Sequence, residues 1–259
     1  MQIHVLASGS TGNAVYFQMG KTKILVDAGI SNRRIEYGLA EIGVKVGELD
    51  GVLITHEHTD HIRGLDVMIR KYQLPVYTRA KTWSKIKCSN KFPCECRIEI
   101  EKDFSIGKIG LEAFNVSHDA VDPVGFCFHY QHEKWVLVTD LGAVTNEVQT
   151  ALSYADLLVL EANHDIEMLT NGPYPTFLKQ RIKGKLGHLS NFDAARLICN
   201  LSQKNKAMHI FLAHLSQTNN YPGLAERTVR NILLKNYCPV DEEIILHRTH
   251  PNRVSSFIT

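Results

Sequence analysis

Three histidines and an aspartate fall within six positions of the run VLITHEHTDHIRGL, residues 52–65: His56, His58, Asp60 and His61. Neutral imidazole is the commonest metal ligand, and a carboxylate beside it suits a hard divalent ion. The lead-in VLIT reads as buried, and an unpaired polar cluster beside a core is costly. A metal site explains the pattern economically, whereas a histidine-rich surface loop leaves the apolar approach unexplained. One turn cannot enclose two metals, so further ligands must arrive from the ends of other strands. Three apolar runs end on a candidate: LEAFNVSHD on His118, WVLVTDLG on Asp140 and MHIFLAHLS on His214. The chemistry open to such a set is metal-assisted hydrolysis.

These side chains need strands that stop where the ligands begin. IHVLA, AVYFQM and TKILVDAG read as strands broken by SGSTGN and GK, and GVLIT as a fourth, apolar enough to be buried on both faces. A strand continuing through GVLIT would point His56 and His58 the same way, with Asp60 and His61 at a strand-to-helix turn. IRGLDVMIRKY has helical spacing and LPVYT follows as a strand. IGLEAFNVSH, VGFCFHY and KWVLVTD continue the strands. The helices NFDAARLICNLSQK and PGLAERTVRNILLKNY bracket the strand MHIFLAH, and EEIILHRT closes the series. With no linker and no repeat, the pattern predicts one layered α/β domain over residues 1–259.

The 259 residues are 44% hydrophobic and 22% charged, which suits a globular chain with a sizeable core. A net charge of +2 supplies no global basic field, so an anionic substrate must be held by metal ions or a local patch. No run of about 18 apolar residues predicts a membrane span, and the N-terminal residues lack the pattern of a secretion signal. Six cysteines are too few for a disulfide framework, which favours a reduced, cytoplasmic setting. Cys88, Cys94 and Cys96 match no standard zinc-finger spacing, and Cys127, Cys199 and Cys238 read as core residues.

The HxHxDH run, VDAG before it, and the later His, Asp and His resemble the metallo-β-lactamase superfamily. That resemblance implies a four-layer αββα sandwich and two divalent ions, zinc, manganese or iron. It implies that His56, His58 and His118 bind one ion, that Asp60, His61 and His214 bind the other, and that Asp140 bridges them. Asp27 would hydrogen-bond and orient the ligand loop. Lactam-hydrolysing members usually carry arginine where His61 stands and a cysteine ligand later, so antibiotic hydrolysis is not expected. Glu161 in DLLVLEANHD and His188 in KLGHLSNFDAARL resemble the pair in transfer-RNA 3′-processing endonucleases, where the glutamate orients a histidine near the leaving oxygen. ASGSTGN, THEHTDHIRGL, EANHDIEML, YPTFLKQRIKGKLGHLSN and LAHLSQTNN together look like the YycJ/WalJ group, which implies a DNA exonuclease acting from the 5′ end.

Within that frame Asp60 would accept a proton or orient the attacking water, and His188 would protonate the leaving group. Only 21 residues separate His118 from Asp140, too few for the transfer-RNA-gripping arm, and the 73 between Asp140 and His214 leave no room for an inserted β-CASP domain. SGSTGN is either a phosphate nest using Ser8, Ser10 and Asn13 or a plain hairpin turn. His164, Asn219 and Asn220 are further candidates for substrate contact. Lys179, Arg181, Lys183 and Lys185 are either a solvated face or local phosphate contacts. A glyoxalase-like thioesterase, a cyclic-nucleotide phosphodiesterase and a nucleic-acid-binding regulatory protein stay open as alternatives.

Overall fold

The structure is a computed structural model that describes residues 1–87, 89–201 and 206–259. Its first half contains β1 (Gln2–Ala7), β2 (Ala14–Met19), β3 (Thr22–Val26), α1 (Asn32–Glu41), β4 (Gly51–Leu53), α2 (Thr59–Ile62), α3 (Leu65–Tyr72), β5 (Val76–Thr78), α4 (Ala80–Lys85), β6 (Arg97–Glu99), β7 (Asp103–Ile106) and β8 (Ile109–Asn115). The second half contains β9 (Val124–Tyr130), β10 (Glu133–Val138), α5 (Asn146–Leu152), β11 (Leu157–Glu161), α6 (Ile166–Asn171), α7 (Thr176–Lys183), α8 (Asn191–Cys199), β12 (Met208–Ala213), α9 (Pro222–Lys235), β13 (Ile244–Arg248) and β14 (Ser255–Ile258). The strands form two seven-stranded sheets, ordered β14-β1-β2-β3-β4-β5-β6 and β13-β12-β11-β10-β9-β8-β7. Both are mixed and flanked by helices. The chain divides into two compact units: Met1–Ala113 with Ala120–Pro123 and His250–Thr259, and Phe114–Asp119 with Val124–Thr249.

In the first unit β14, β1, β2 and β3 pair antiparallel, whereas β3, β4, β5 and β6 run parallel. Parallel neighbours need crossover helices, and these cover one face of the sheet. Ile35 and Leu39 of α1, Leu65, Met68 and Ile69 of α3, and Trp83 of α4 pack with Leu6, Tyr16, Leu25, Val52 and Val76. The alternate residues Ile3, Phe17, Ile24, Val26 and Leu53 are fully buried as well. The apolar run of β4 is therefore buried on both faces, as its composition predicts. Ser31 caps α1 by accepting the Arg34 N–H, and Gly43, at φ 73°, ends its last turn.

In the second unit β10, β11, β12 and β13 run parallel, with β9 antiparallel to β10. Val148 and Leu152 of α5, Ala194 and Ile198 of α8, and Val229 and Leu233 of α9 pack with Val136, Leu158 and Ile210. Ser190 caps α8 and Pro222 opens α9, both favoured at helix starts. The parallel strands of each unit end on a common edge, and loops at carboxyl ends are where such sheets bind ligands. Every strand-end candidate from β3, β4, β10, β11 and β12 lies at such an end.

Three sequence readings change. β4 stops at Leu53, so His56 and His58 stand on the loop beyond it rather than on the strand. The expected helix over residues 62–72 is broken at Gly64, whose N–H donates to the Ala28 carbonyl at 2.7 Å and whose missing Cβ would sit 2.4 Å from the Ile30 carbonyl oxygen. The helix read through NFDAARLICNLSQK ends at Cys199, and residues 202–204 of that run lie outside the described residues, as does Cys88. Cys94, Cys96, Cys127, Cys199 and Cys238 form no disulfide among the described residues, and Cys127 lies in the core. Among the described residues no helix is long and apolar enough to cross a membrane.

Candidate functional site

The first unit assembles its candidates around one buried carboxylate. Asp27 sits at the end of β3 with φ 61° and is 2% exposed. It accepts the Thr55 N–H at 2.9 Å, the Thr55 hydroxyl at 3.0 Å and His61 Nδ1 at 2.8 Å. An ionised carboxylate only accepts, so His61 carries its proton on Nδ1 and presents Nε2 as the lone-pair donor. The Thr55 hydroxyl, committed to Asp27, accepts in turn from His56 Nδ1 at 3.0 Å. Glu57 turns aside and takes the Val121 N–H at 2.9 Å. Alternation along this extended stretch then leaves His56 and His58 together, with ring centroids 4.6 Å apart, and His61 lies 4.1 Å from His56. The first turn of α2 places Asp60 Oδ2 3.5 Å from His61 Nε2.

SGSTGN serves this loop from beneath. The Asn13 N–H donates to the Asp60 carbonyl at 2.9 Å, its amide nitrogen lies 3.2 Å from His61 Nε2, and its amide oxygen accepts the Gly9 N–H. Ser8 and Asn13 are buried, whereas Ser10 and Thr11 are exposed. The segment is a brace for the ligand loop, a role between the two offered by the sequence. Gly29 makes the brace possible, because a Cβ there would sit 1.6 Å from the Asp60 carbonyl oxygen. The signal was the glycine in VDAG, whose need is steric.

The second unit repeats the arrangement around Glu161, fully buried at the end of β11. Its Oε1 accepts His188 Nδ1 at 2.9 Å and His214 Nδ1 at 2.8 Å. Its Oε2 accepts the backbone N–H groups of Leu141 at 2.7 Å and Leu189 at 2.9 Å. Both histidines are thereby held with Nδ1 protonated and Nε2 turned outward. Burial pushes the Glu161 carboxyl pKa up, but the two facing histidines outweigh it and hold the value at about 2. Burial likewise depresses His188, and Glu161 and Asp140 overcome it, so its pKa is raised. His118 has its pKa lowered by burial, and its Nδ1 lies 3.3 Å from the Gly187 carbonyl.

Asp140 Oδ1 lies 3.5 Å from His118 Nε2 and 3.6 Å from the Nδ1 atoms of His188 and His214. Donor atoms of Asp140, Glu161, His188 and His214 all fall within 4.8 Å of one another. Asp27, Asp140 and His214 all adopt positive φ, at 61°, 59° and 55°. A non-glycine side chain pays about 1–2 kcal/mol for that conformation, and such strain gathers at functional sites. Asn163 supports it at His214, whose carbonyl accepts its amide at 2.8 Å.

The donor chemistry fits divalent ions. Each unit offers imidazole Nε2 atoms whose Nδ1 is committed to an acceptor, together with a carboxylate, and zinc, manganese and iron all accept that mixture. Other candidates fall differently. Asn219 is fully buried beside Ser216, and Asn220 spends its amide on the Ala162 and Asn163 carbonyls and on Asn191, so both support the loop after β12. His164 is buried, and burial lowers its pKa to about 4. In the basic run Arg181 pairs with Asp119, while Lys179 and Lys183 bond Thr170. Sequence reasoning expected Glu161 to serve His188 but missed its equal service to His214; it missed Thr55 and Asn163, and it offered Asn13 for phosphate rather than for the ligand loop.

A family model described as a beta-lactamase superfamily domain matches residues 22–210. The chain is 39% identical over 254 residues to exodeoxyribonuclease YycJ of Bacillus anthracis, covering 97% of this chain and 96% of that one. It is 41% identical over 257 residues to exodeoxyribonuclease WalJ of Streptococcus pneumoniae serotype 2, covering 96% and 94%. Among solved structures, the metallo-beta-lactamase fold protein YhfI of Bacillus subtilis matches with a TM-score of 0.74 at 16% identity over 98% of both chains. Human tRNase Z, short form, matches with a TM-score of 0.66 at 17% identity, also over 98% of both. The αββα class expected from the sequence is the fold these likenesses show.

Proposed function

The chain belongs to the metallo-β-lactamase superfamily, a family of metal-binding hydrolases, and from that premise we propose that it is a nuclease that hydrolyses DNA from the 5′ end. The observation that carries the reading is the buried Glu161–His188 pair at 2.9 Å, in a chain about 40% identical from end to end to two proteins named exodeoxyribonuclease. The ligand assignment implied by the family carries forward: His56, His58 and His118 for one ion, Asp60, His61 and His214 for a second, and Asp140 for both. Divalent ions bound there supply a nucleophilic water near neutral pH and offset charge on the phosphoryl oxygens.

The chain's own groups do the rest. Asp27 and Glu161 fix the tautomers of His61 and His214, so the lone pairs are aligned before an ion arrives. His188 keeps Nδ1–H on Glu161, and its raised pKa favours a role for Nε2 in giving a proton to the departing 3′-oxygen. Asp60, partly exposed, accepts a proton from the attacking water or orients it.

The test is digestion of 5′- and 3′-labelled duplex DNA, single-stranded DNA and RNA, with zinc, manganese or iron. Wild type should shorten DNA from the 5′ end, and Asp60→Ala and His188→Ala should lose at least about 100-fold in rate. Equal cleavage by the variants, or rapid turnover of a thioester or cyclic nucleotide with DNA untouched, would overturn the reading.

A further inference from the structure

α8 and α9 pack together on the second sheet, and both begin beside the candidate site. α8 opens at Asn191, three residues past His188, and α9 opens at Pro222, after the loop that follows His214. At these ends Asn191 and Asn220 each donate an amide N–H to the other's amide oxygen, at 3.1 and 2.8 Å. At the opposite ends stand two thiols. Cys199 is the last residue of α8. α9 closes with the Tyr237 N–H donating to the Leu234 carbonyl at 3.1 Å and the Cys238 N–H to the Leu233 carbonyl at 3.0 Å, with Tyr237 at φ 57°. That left-handed turn folds the chain back over the helix end. Cys238 is thereby returned to the core, its Sγ 3.4 Å from Cys199 Sγ, and both side chains are half-buried.

A disulfide holds its sulfurs about 2.05 Å apart, so these two need about 1.4 Å of approach, which modest rotation about the two Cα–Cβ bonds supplies. We propose that Cys199 and Cys238 form a modification site, which a low-molecular-weight disulfide oxidises to a reversible staple between the ends of α8 and α9. Burial, and after it the neighbouring Cys238 thiol, raises the Cys199 pKa to about 11, so Cys199 stays protonated near neutral pH and Cys238 reacts first. The Cys238 thiolate bonds to one sulfur of the reagent and expels the other half as a thiolate. Cys199 then yields its proton to water, its sulfur bonds to Cys238 Sγ, and the mixed bond breaks to release a second thiolate. Two protein thiols are oxidised and one small disulfide is reduced to two thiols. The new bond closes a span of 39 positions, which restricts the unfolded chain and stabilises the folded one. It lies at the helix ends opposite the ligand loops, so it forms whatever the site hydrolyses.

The full chain is incubated with oxidised glutathione, and its peptides are mapped by mass spectrometry without reduction. Wild type should yield a peptide linked through Cys199 and Cys238, and its Tm should rise by about 5–15 °C over the reduced chain. Dithiothreitol should reverse both changes. Cys199→Ser should stop at one glutathione on Cys238 with no such rise, and Cys238→Ser should leave Cys199 unmodified, with circular dichroism confirming that both variants fold. Absence of the linked peptide, linkage of either cysteine to a different one, or a Tm equal to that of the reduced chain overturns the staple. Glutathione on Cys199 in Cys238→Ser overturns the order of attack.

Discussion

Glu161→Gln is nearly isosteric, yet it should disable the second unit's cluster in a way the geometry makes calculable. The carboxylate accepts four donors, two from imidazoles and two from backbone N–H groups, inside a fully buried site. An amide can accept at its oxygen only and must donate at its nitrogen. With the oxygen toward the histidines, the Leu141 and Leu189 N–H groups face a donor and lose their partners. Each buried donor so stranded costs about 1–3 kcal/mol, which after relaxation gives a loss of about 3 kcal/mol and a Tm drop of about 6–12 °C for a chain of this size. With the oxygen toward the backbone, both rings must accept at Nδ1 and carry the proton at Nε2, so His214 loses the lone pair a metal needs. Metal affinity should then fall about 10–100-fold. Urea melts of metal-free protein measure the first outcome, and histidine-selective ¹⁵N NMR reads the tautomers for the second. A variant with wild-type stability and both histidines still protonated at Nδ1 would refute the reasoning.

Gly29→Ala should separate SGSTGN from the ligand loop, because the added carbon meets the Asp60 carbonyl at 1.6 Å; a stability loss above about 3 kcal/mol and weaker metal uptake are expected, and a wild-type melt would contradict this. Asp27→Asn offers an amide that can leave His61 in the wrong tautomer, so metal affinity should fall about 10–100-fold, as read by competition with a chromogenic chelator; unchanged affinity would remove Asp27 from the account. His247 has its pKa lowered to about 4, first by burial and then by facing His209, so the native ring stays neutral where the unfolded one charges near 6.5. Its contribution is therefore complete above about pH 6.5 and is lost toward pH 4, about 1 kcal/mol after allowance for partial exposure. His247→Phe, which preserves the stack on Phe211, should flatten the fall in urea midpoint between pH 7 and 5, and parallel profiles would contradict it.

The candidate ligands were legible because doubly buried strands read as unbroken apolar runs, so a His or Asp ending one stands out. VLIT, WVLVTD and HIFLAH all carried that contrast. α1 did not, since it buries only Asn32, Ile35, Gly38 and Leu39 among charged residues, and α7 buries no residue at all. β6 and β14 expose alternate or partly buried positions at sheet edges, which leaves little pattern to read. The shared service of Glu161 was hidden for another reason: His188 and His214 lie 27 and 53 positions away and meet it only after β11 and β12 pair. His56 and His58 were placed correctly as neighbours for an incomplete reason. Alternation persists beyond the hydrogen-bonded strand because Asp27 holds Thr55 extended and Val121 draws Glu57 aside.

Metal content by mass spectrometry after equilibrium dialysis tests the central claim most directly. Wild type should retain about two divalent ions per chain, His56→Ala and His214→Ala should each lose at least one, and Asp140→Ala should weaken both. A wild-type chain that retains none of zinc, manganese or iron, or variants that retain as much as wild type, would contradict it.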